Sequence, residues 1–289
     1  MIRSSLPHVH VAALSHAGMS GKHNEDRYAI SSFRLSRDDS RPAIFAVVAD
    51  GIGGHLAGEI AAELAVNYIT AGVAESNAKK PVKILENTIQ NASQSISSHS
   101  AGNENENGMG ATCACVWIIE DRLYTAYVGD SRIYLLRGKF IQRLTIDHTW
   151  VQEALEKGII TPEQMHDHPN QHVIRRYLGG LRLPDVDFRL RIDDAESDEE
   201  SRNNQGFRLD PGDTILICSD GLTDLVWDDE IQKVIRTKKD MKAAAETLVS
   251  LANERGGHDN ITVVLMSMPK LEESTQKKRN IMDWILGTD

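Results

Sequence analysis

Between residues 110 and 145 four strand-length apolar runs follow one another: "GATCACVWIIED", "RLYTAYV", "RIYLLRG" and "FIQRLT". Only Glu120-Asp121, Gly129-Asp130-Ser131 and Gly138-Lys139 separate them. Linkers this short cannot carry the crossover that a parallel pair needs, so they predict antiparallel hairpins. Other strand signals also come in clusters, "YAISSFRL" and "AIFAVVA" before this stretch, "VDFRLRI", "DTILICS" and "NITVVLMSM" after it. Helical patterns arrive in pairs, 56–74 with 81–100 and 228–236 with 240–255. Residues 147–179 are polar and helical in character, with Pro162 at a helix start. Strands in runs and helices in pairs predict an α+β fold of antiparallel sheets covered by helices.

The 289 residues, 40% of them hydrophobic, are enough for one large domain with its own core. Lys and Arg number 32 against 42 Asp and Glu, a net charge of −10. That balance argues against a nucleic acid or an anionic membrane as partner, since either selects a basic face. The opening "MIRSSLPHVHVAALSHAG" lacks the apolar stretch of a secretory signal. No run nears the roughly 18 apolar residues of a membrane span, so a cytoplasmic protein is expected. Cys113, Cys115 and Cys218 are odd in number and lack ligand spacing, which fits buried reduced thiols rather than disulfides or zinc. The acidic stretch 193–206 reads as a solvated loop. The tail 269–289 ends in Ile281, Met282, Trp284, Ile285 and Leu286, a cluster that either docks or frays.

Acids stand where strands end. Asp50 closes "AIFAVVA" and opens "DGIGGH"; Asp220 closes "TILICS" and precedes Gly221; Asp259 precedes the last strand. Glu25 and Asp26 precede "RYAIS", and Asp130 lies in "VGDSR". In antiparallel sheets the end of one strand lies beside the start of its neighbour, so these carboxylates are expected along one edge. Like charges gathered there raise one another's pKa unless a cation neutralises them. An all-oxygen set without Cys or His selects a hard divalent ion, Mg²⁺ or Mn²⁺ before Ca²⁺. Gly51, Gly53 and Gly54 let the main chain approach an ion closely, and the Gly51 carbonyl is itself a candidate ligand. Taken alone, "DGIGGH" reads equally as an ordinary turn.

The ordered blocks "HNEDRYAI", "VVADGIGGHLAGEIAA", "GATCACVWI", "AYVGDSRIYLLR", "LTIDHTWVQ", "ILICSDGLTDLV" and "GGHDNITVVL" resemble the type 2C (PPM) family of metal-dependent Ser/Thr protein phosphatases, in its bacterial form, over roughly residues 10–268. The resemblance implies a four-layer αββα sandwich, two antiparallel sheets flanked by helix pairs, as a catalytic domain over 1–268. It implies two Mg²⁺ or Mn²⁺ ions bridged by Asp50, with Asp220 and Asp259 on the first and Glu25 and the Gly51 carbonyl on the second. Asp130 and Asp224 match a third, looser metal site, and Asp26 and Asn260 match residues that orient ligands and waters. The implied reaction is direct attack of a metal-bridging hydroxide on phosphoserine or phosphothreonine. The implied partners are phosphoproteins made by a bacterial Ser/Thr kinase, and the implied enzyme is a monomer. The segment 147–183 corresponds to a flap beside the active site.

Two positions depart from the family. Members usually carry a phosphate-binding arginine three residues before the asparagine of "NED"; here that residue is Gly21. The neighbouring Lys22 either substitutes as a point charge or is a solvated surface lysine. His55 is either a general acid for the leaving alkoxide or a helix-start histidine with a structural hydrogen bond. His16, His23 and His148 are assigned no chemistry. Two other functions compete: a pseudophosphatase that binds phosphoproteins without turnover, which only Gly21 favours, and a metallohydrolase of small phosphate esters, which needs a deep specificity pocket.

Overall fold

The computed structural model describes residues 1–21, 23–53, 56–102, 106–165 and 168–270. Lys22, His55 and the tail from residue 271 onward lie outside the described residues, and with them the roles considered for each. The chain opens with strands β1 (Ile2–Arg3), β2 (His10–His16), β3 (Arg27–Arg34), β4 (Pro42–Ala49) and β5 (Gly51–Ile52). Helices α1 (Leu56–Glu75) and α2 (Pro81–Gly102) come next, starting where their patterns predict and running one and two residues further. Strands β6 (Gly110–Ala111), β7 (Cys113–Ile119), β8 (Arg122–Val128), β9 (Arg132–Arg137) and β10 (Phe140–Arg143) follow. Short helices α3 (Trp150–Glu156), α4 (Pro162–Met165) and α5 (Asp198–Asn203) lead to β11 (Phe207–Arg208) and β12 (Thr214–Cys218). Helices α6 (Asp220–Thr223), α7 (Asp228–Thr237) and α8 (Met241–Glu254) precede the last strand, β13 (Ile261–Ser267).

Two antiparallel sheets carry the fold, one in the order β1-β3-β4-β7-β8-β11 and the other β10-β9-β12-β13-β2. Along β4, Ile44, Ala46 and Val48 pack with Ile133, Ile217 and Val264 between the sheets. Phe45 and Val47 point the other way, against Ala65 and Ile69 of α1 and Ile89 of α2. On the far side of the second sheet Leu216 and Val263 meet Ile231 of α7 and Leu248 of α8. A strand buried on both faces needs apolar residues at every position, which is why "AIFAVVA" shows no alternation. The four layers are therefore helix pair, sheet, sheet, helix pair, as expected for the αββα sandwich. Cys113 and Cys115 share the helix-facing side of β7, and all three cysteines are free and buried. No described helix is long and apolar enough to cross a membrane.

Beyond a few two-residue strands and the single turn of α6, the structure departs from the sequence reading as follows. Gly129-Asp130-Ser131 is not a hairpin: β8 belongs to the first sheet and β9 to the second, so these residues carry the chain across. Gly129 makes the sharp exit at φ +108°, and a Cβ there would lie 2.6 Å from the Thr112 side chain, so only glycine fits. "VDFRLRI" is not a strand but an extended segment touching β8 at one bridge, Tyr127 to Asp187. Its amide at Arg189 is taken by the Asp187 carboxylate instead of a neighbouring strand. The acidic stretch 193–206 holds α5, closed by a capping box in which Ser197 and Glu200 exchange hydrogen bonds. Finally, β2 is an edge strand paired with β13, within a region the sequence did not mark as a strand.

Candidate metal centre

Strand register brings the acids together. Arg27 pairs with Ala49, so Asp26, just before β3, lies beside Asp50, just after β4. In the second sheet Cys218 pairs with Val263 and the Ser219 amide donates to the Thr262 carbonyl, so Asp220, just after β12, lies beside the start of β13, which Asp259 and Asn260 precede. Asp130 joins them from the crossing between sheets. Hydrogen bonds fix these ends: the Asp50 amide donates to Thr112 Oγ1 at 3.0 Å, and Thr112 Oγ1 lies 2.8 Å from Ser131 Oγ. Ser219 Oγ donates to Asp26 Oδ2 at 2.7 Å and accepts from the Thr262 amide at 2.9 Å, linking the two sheets.

Glu25 is placed from both sides. Its amide donates to Asn260 Oδ1 at 2.7 Å, while Asn260 Nδ2 donates to the Ala17 and His23 carbonyls at 3.1 Å each. Asn260 thus holds the loop that carries Glu25. The Glu25 carboxylate and the Gly51 carbonyl both converge on Gly58 in the first turn of α1: a Cβ at Gly58 would lie 2.1 Å from Glu25 Oε2 and 2.9 Å from Gly51 O. Side-chain and main-chain oxygens therefore form a cradle that a methyl group would fill. At the departure from the family pattern, Gly21 is exposed with φ +74°, and a Cβ there would meet nothing within 4 Å.

The electrostatics favour cations at this edge. Burial, then the charges of Asp26, Asp220, Asp130 and Asp259, raise the Asp50 pKa well above the ordinary carboxylate range. Burial, aided by Asp224 and Asp259 and opposed by a hydrogen bond with Asp50, pushes Asp220 up to about 7. Burial pushes Asp26 to about 7 against the bond from Ser219, and burial with Asp220 raises Asp130. Asp26 Oδ1, Asp130 Oδ1 and Asp220 Oδ1 are buried with no hydrogen-bond partner. Buried orphan oxygens and carboxylates held this close are what a divalent pair would relieve, so the residues present fit two hard dications.

Beside these acids opens a cavity of ≈ 850 Å³, lined by Asp130, Asp220 and Asp224 on one side and by residues of α3 and α4 on the other. Its two arginines are engaged: Arg132 donates to Asp147 at 2.7 Å, and Arg143 reaches the same carboxylate at 3.4 Å. Arg132 keeps Asp147 ionised in spite of its burial. Carboxylates outnumber arginines along this wall, so without bound cations a phosphate would find few positive groups there. Among the described residues, the group of three or more ligand-type side chains whose donor atoms lie within 4.8 Å of one another is His172, Asp220 and Asp224, not the set around Asp50. Sequence reasoning assigned His172 nothing; its only signal is one histidine in the polar run "NQHVIRR". Asp224, at the end of α6, has its pKa raised by burial against the opposing charges of His172 and Arg132.

Residues 15–266 match the family model described as protein phosphatase 2C. The serine/threonine phosphatase stp of Listeria monocytogenes is 32% identical over 262 residues, covering 89% of this chain and 94% of that protein. Protein phosphatase PhpP of Streptococcus pneumoniae is 35% identical over 226 residues, 77% of this chain and 85% of its own. Among solved structures, the S. agalactiae serine/threonine phosphatase is similar at TM-score 0.77 and 28% identity, covering 90% of this chain and 99% of that one. The catalytic domain of the phosphatase PstP in complex with two manganese ions is similar at TM-score 0.71 and 29% identity, covering 90% and 97%.

Proposed function

The chain belongs to the protein phosphatase 2C family, and on that premise we propose that it is a divalent-metal-dependent phosphatase of phosphoserine and phosphothreonine in proteins. The observation that carries the reading is the set of buried, partnerless oxygens of Asp26, Asp130 and Asp220, the last two at the wall of an open cavity. Asp50, Asp220 and Asp259 would hold one Mg²⁺ or Mn²⁺ ion, and Asp50, Glu25 and the Gly51 carbonyl the other, with Asp130 and Asp224 offering a third, looser site. When bound, such an ion pair supplies Lewis acidity and an activated water for direct displacement at phosphorus.

The chain's own residues do the positioning. Thr112 and Ser131 fix the Asp50 main chain, Ser219 fixes Asp26, and Asn260 fixes Glu25. With Arg132 and Arg143 engaged by Asp147 and a glycine at position 21, no described cation of the cavity is available to a phosphate, so its binding depends on the ions. On this reading the substrates are proteins phosphorylated by a Ser/Thr kinase that the enzyme opposes, in keeping with relatives named as serine/threonine phosphatases. The test is hydrolysis of a phosphothreonine peptide in EDTA, Mg²⁺ or Mn²⁺, with Asp220→Ala alongside. Activity restored by metal and lost in the variant is expected; activity that survives both chelation and the substitution refutes the metal assignment.

A further inference from the structure

One donor at this centre lies outside the acids. His172 sits on the segment 147–183, and its Nδ1 is 3.4 Å from Asp224 Oδ2, longer than a good hydrogen bond. Asp220 completes a triangle of donor atoms within 4.8 Å of one another. Two ligands of one ion with bonds of about 2.2 Å lie at most roughly 4.4 Å apart, so small side-chain shifts would close the group around a single cation. Independently, Asp130 is 6% exposed, lines the same cavity, and its Oδ1 has no partner.

We propose that His172 is a metal ligand, which with Asp220 and Asp224 gives the looser site a nitrogen donor and ties the segment 147–183 to α6. The inference rests on the metal-centre reading above and extends it to a residue that reading does not use. Asp220 can serve two ions because it has two oxygens, of which Oδ1 is unpartnered. On its other side, His172 Nε2 accepts from the Gln171 side-chain amide at 2.8 Å. Ligation through Nδ1 places the ring proton on Nε2, and the Gln171 amide, turned over, accepts it through its oxygen. The backbone around His172 is already anchored: Trp150 N donates to Val173 O at 2.8 Å and Arg175 N to His148 O at 2.7 Å. An ion at this site therefore fastens the cavity wall formed by Val151, Leu155, Pro162 and Met165 to the catalytic edge. An imidazole nitrogen favours a first-row transition ion over Mg²⁺, so the metal supplied decides whether that wall is fastened.

The test is Mn²⁺ binding to the full chain, followed by calorimetry and by nitrogen hyperfine coupling in the electron spin-echo spectrum of bound Mn²⁺. Wild type should show tight binding plus a weaker class that carries imidazole nitrogen coupling. In His172→Ala the coupling should vanish and the weaker dissociation constant should rise by about tenfold or more, while tight binding stays. Tight binding without nitrogen coupling, or coupling that survives in His172→Ala and so points to His258 in the same cavity, overturns the role of His172 alone. Absence of tight Mn²⁺ binding overturns the metal-centre reading itself.

Discussion

Gly58→Ala separates the fold from the metal site. In the first turn of α1 this substitution favours the helix by about 1 kcal/mol. The new methyl would stand 2.1 Å from Glu25 Oε2, where an ordinary contact needs 3.4 Å, so the carboxylate must retreat by about 1.3 Å. Moving a glutamate off its rotamer costs about 1 kcal/mol, so net stability should stay within about 1 kcal/mol of wild type. A ligand displaced that far cannot keep its ion, because metal bonds tolerate only about 0.2 Å. The Gly51 carbonyl, 2.9 Å from the same methyl, is pressed as well. Misplacement of roughly 1 Å at a reacting centre costs on the order of 100-fold in rate. Expected, then, are a melting temperature in EDTA within a few degrees of wild type, kcat/KM on a phosphothreonine peptide about 100-fold lower in saturating Mn²⁺, and one tight Mn²⁺ class lost by calorimetry. A Gly58→Ala protein with wild-type turnover and a wild-type Mn²⁺ isotherm would show that Glu25 and the Gly51 carbonyl hold no ion.

Other consequences are read as stability rather than turnover. His148 is kept neutral by burial, its Nδ1 accepting from the Gly129 amide at 3.0 Å, so its pKa lies below 6.5. The unfolded chain takes up that proton as pH falls through 6.5 while the native state resists, so the stability advantage of wild type over His148→Gln should shrink between pH 7.5 and 5.5; an advantage independent of pH in urea titrations would refute this. Burial opposes ionisation of Asp187, but the hydrogen bonds from His148 and Arg189 outweigh it and depress the pKa, so its contribution to stability is present above 3.8 and is lost only in stronger acid. Arg137→Ala leaves the buried Asp213 without its 2.6 Å partner and should cost about 1–3 kcal/mol, read as a lower urea midpoint. Ser219→Ala removes the donor to Asp26 and the acceptor for Thr262 in a fully buried position, and should lower the melting temperature by the equivalent of about 2 kcal/mol.

The frame of the molecule was legible because its helices are long and paired and its strands are short and clustered. The acids were legible because each sits at a strand end, and antiparallel register turns that into proximity, as with Asp26 beside Asp50. What escaped depends on tertiary partners. Gly129–Ser131 crosses over because β9 pairs with β12 of the second sheet, a partner about eighty residues further along that no local pattern announces. "VDFRLRI" has a strand's alternation, yet Asp187 takes a local amide and pairs with Arg189 instead of extending a ladder. Helix α5 was legible in hindsight from Ser197 and Glu200, a capping box lost in the surrounding acidity. His172 had no local signal, since its neighbours Asp220 and Asp224 lie about fifty residues further along the chain.

The centre draws on both sheets and on both ends of the chain. Glu25 and Asp50 leave the ribosome early, whereas Asp259 follows α8 and lies two residues before Ile261, the first residue of β13, which joins β12 to β2 in the second sheet. A nascent chain that still lacks β12 and β13 owns half of a cation trap and nothing with which to shut it. On the proposed metal reading, β13, the last strand among the described residues, is also the one whose arrival closes the centre.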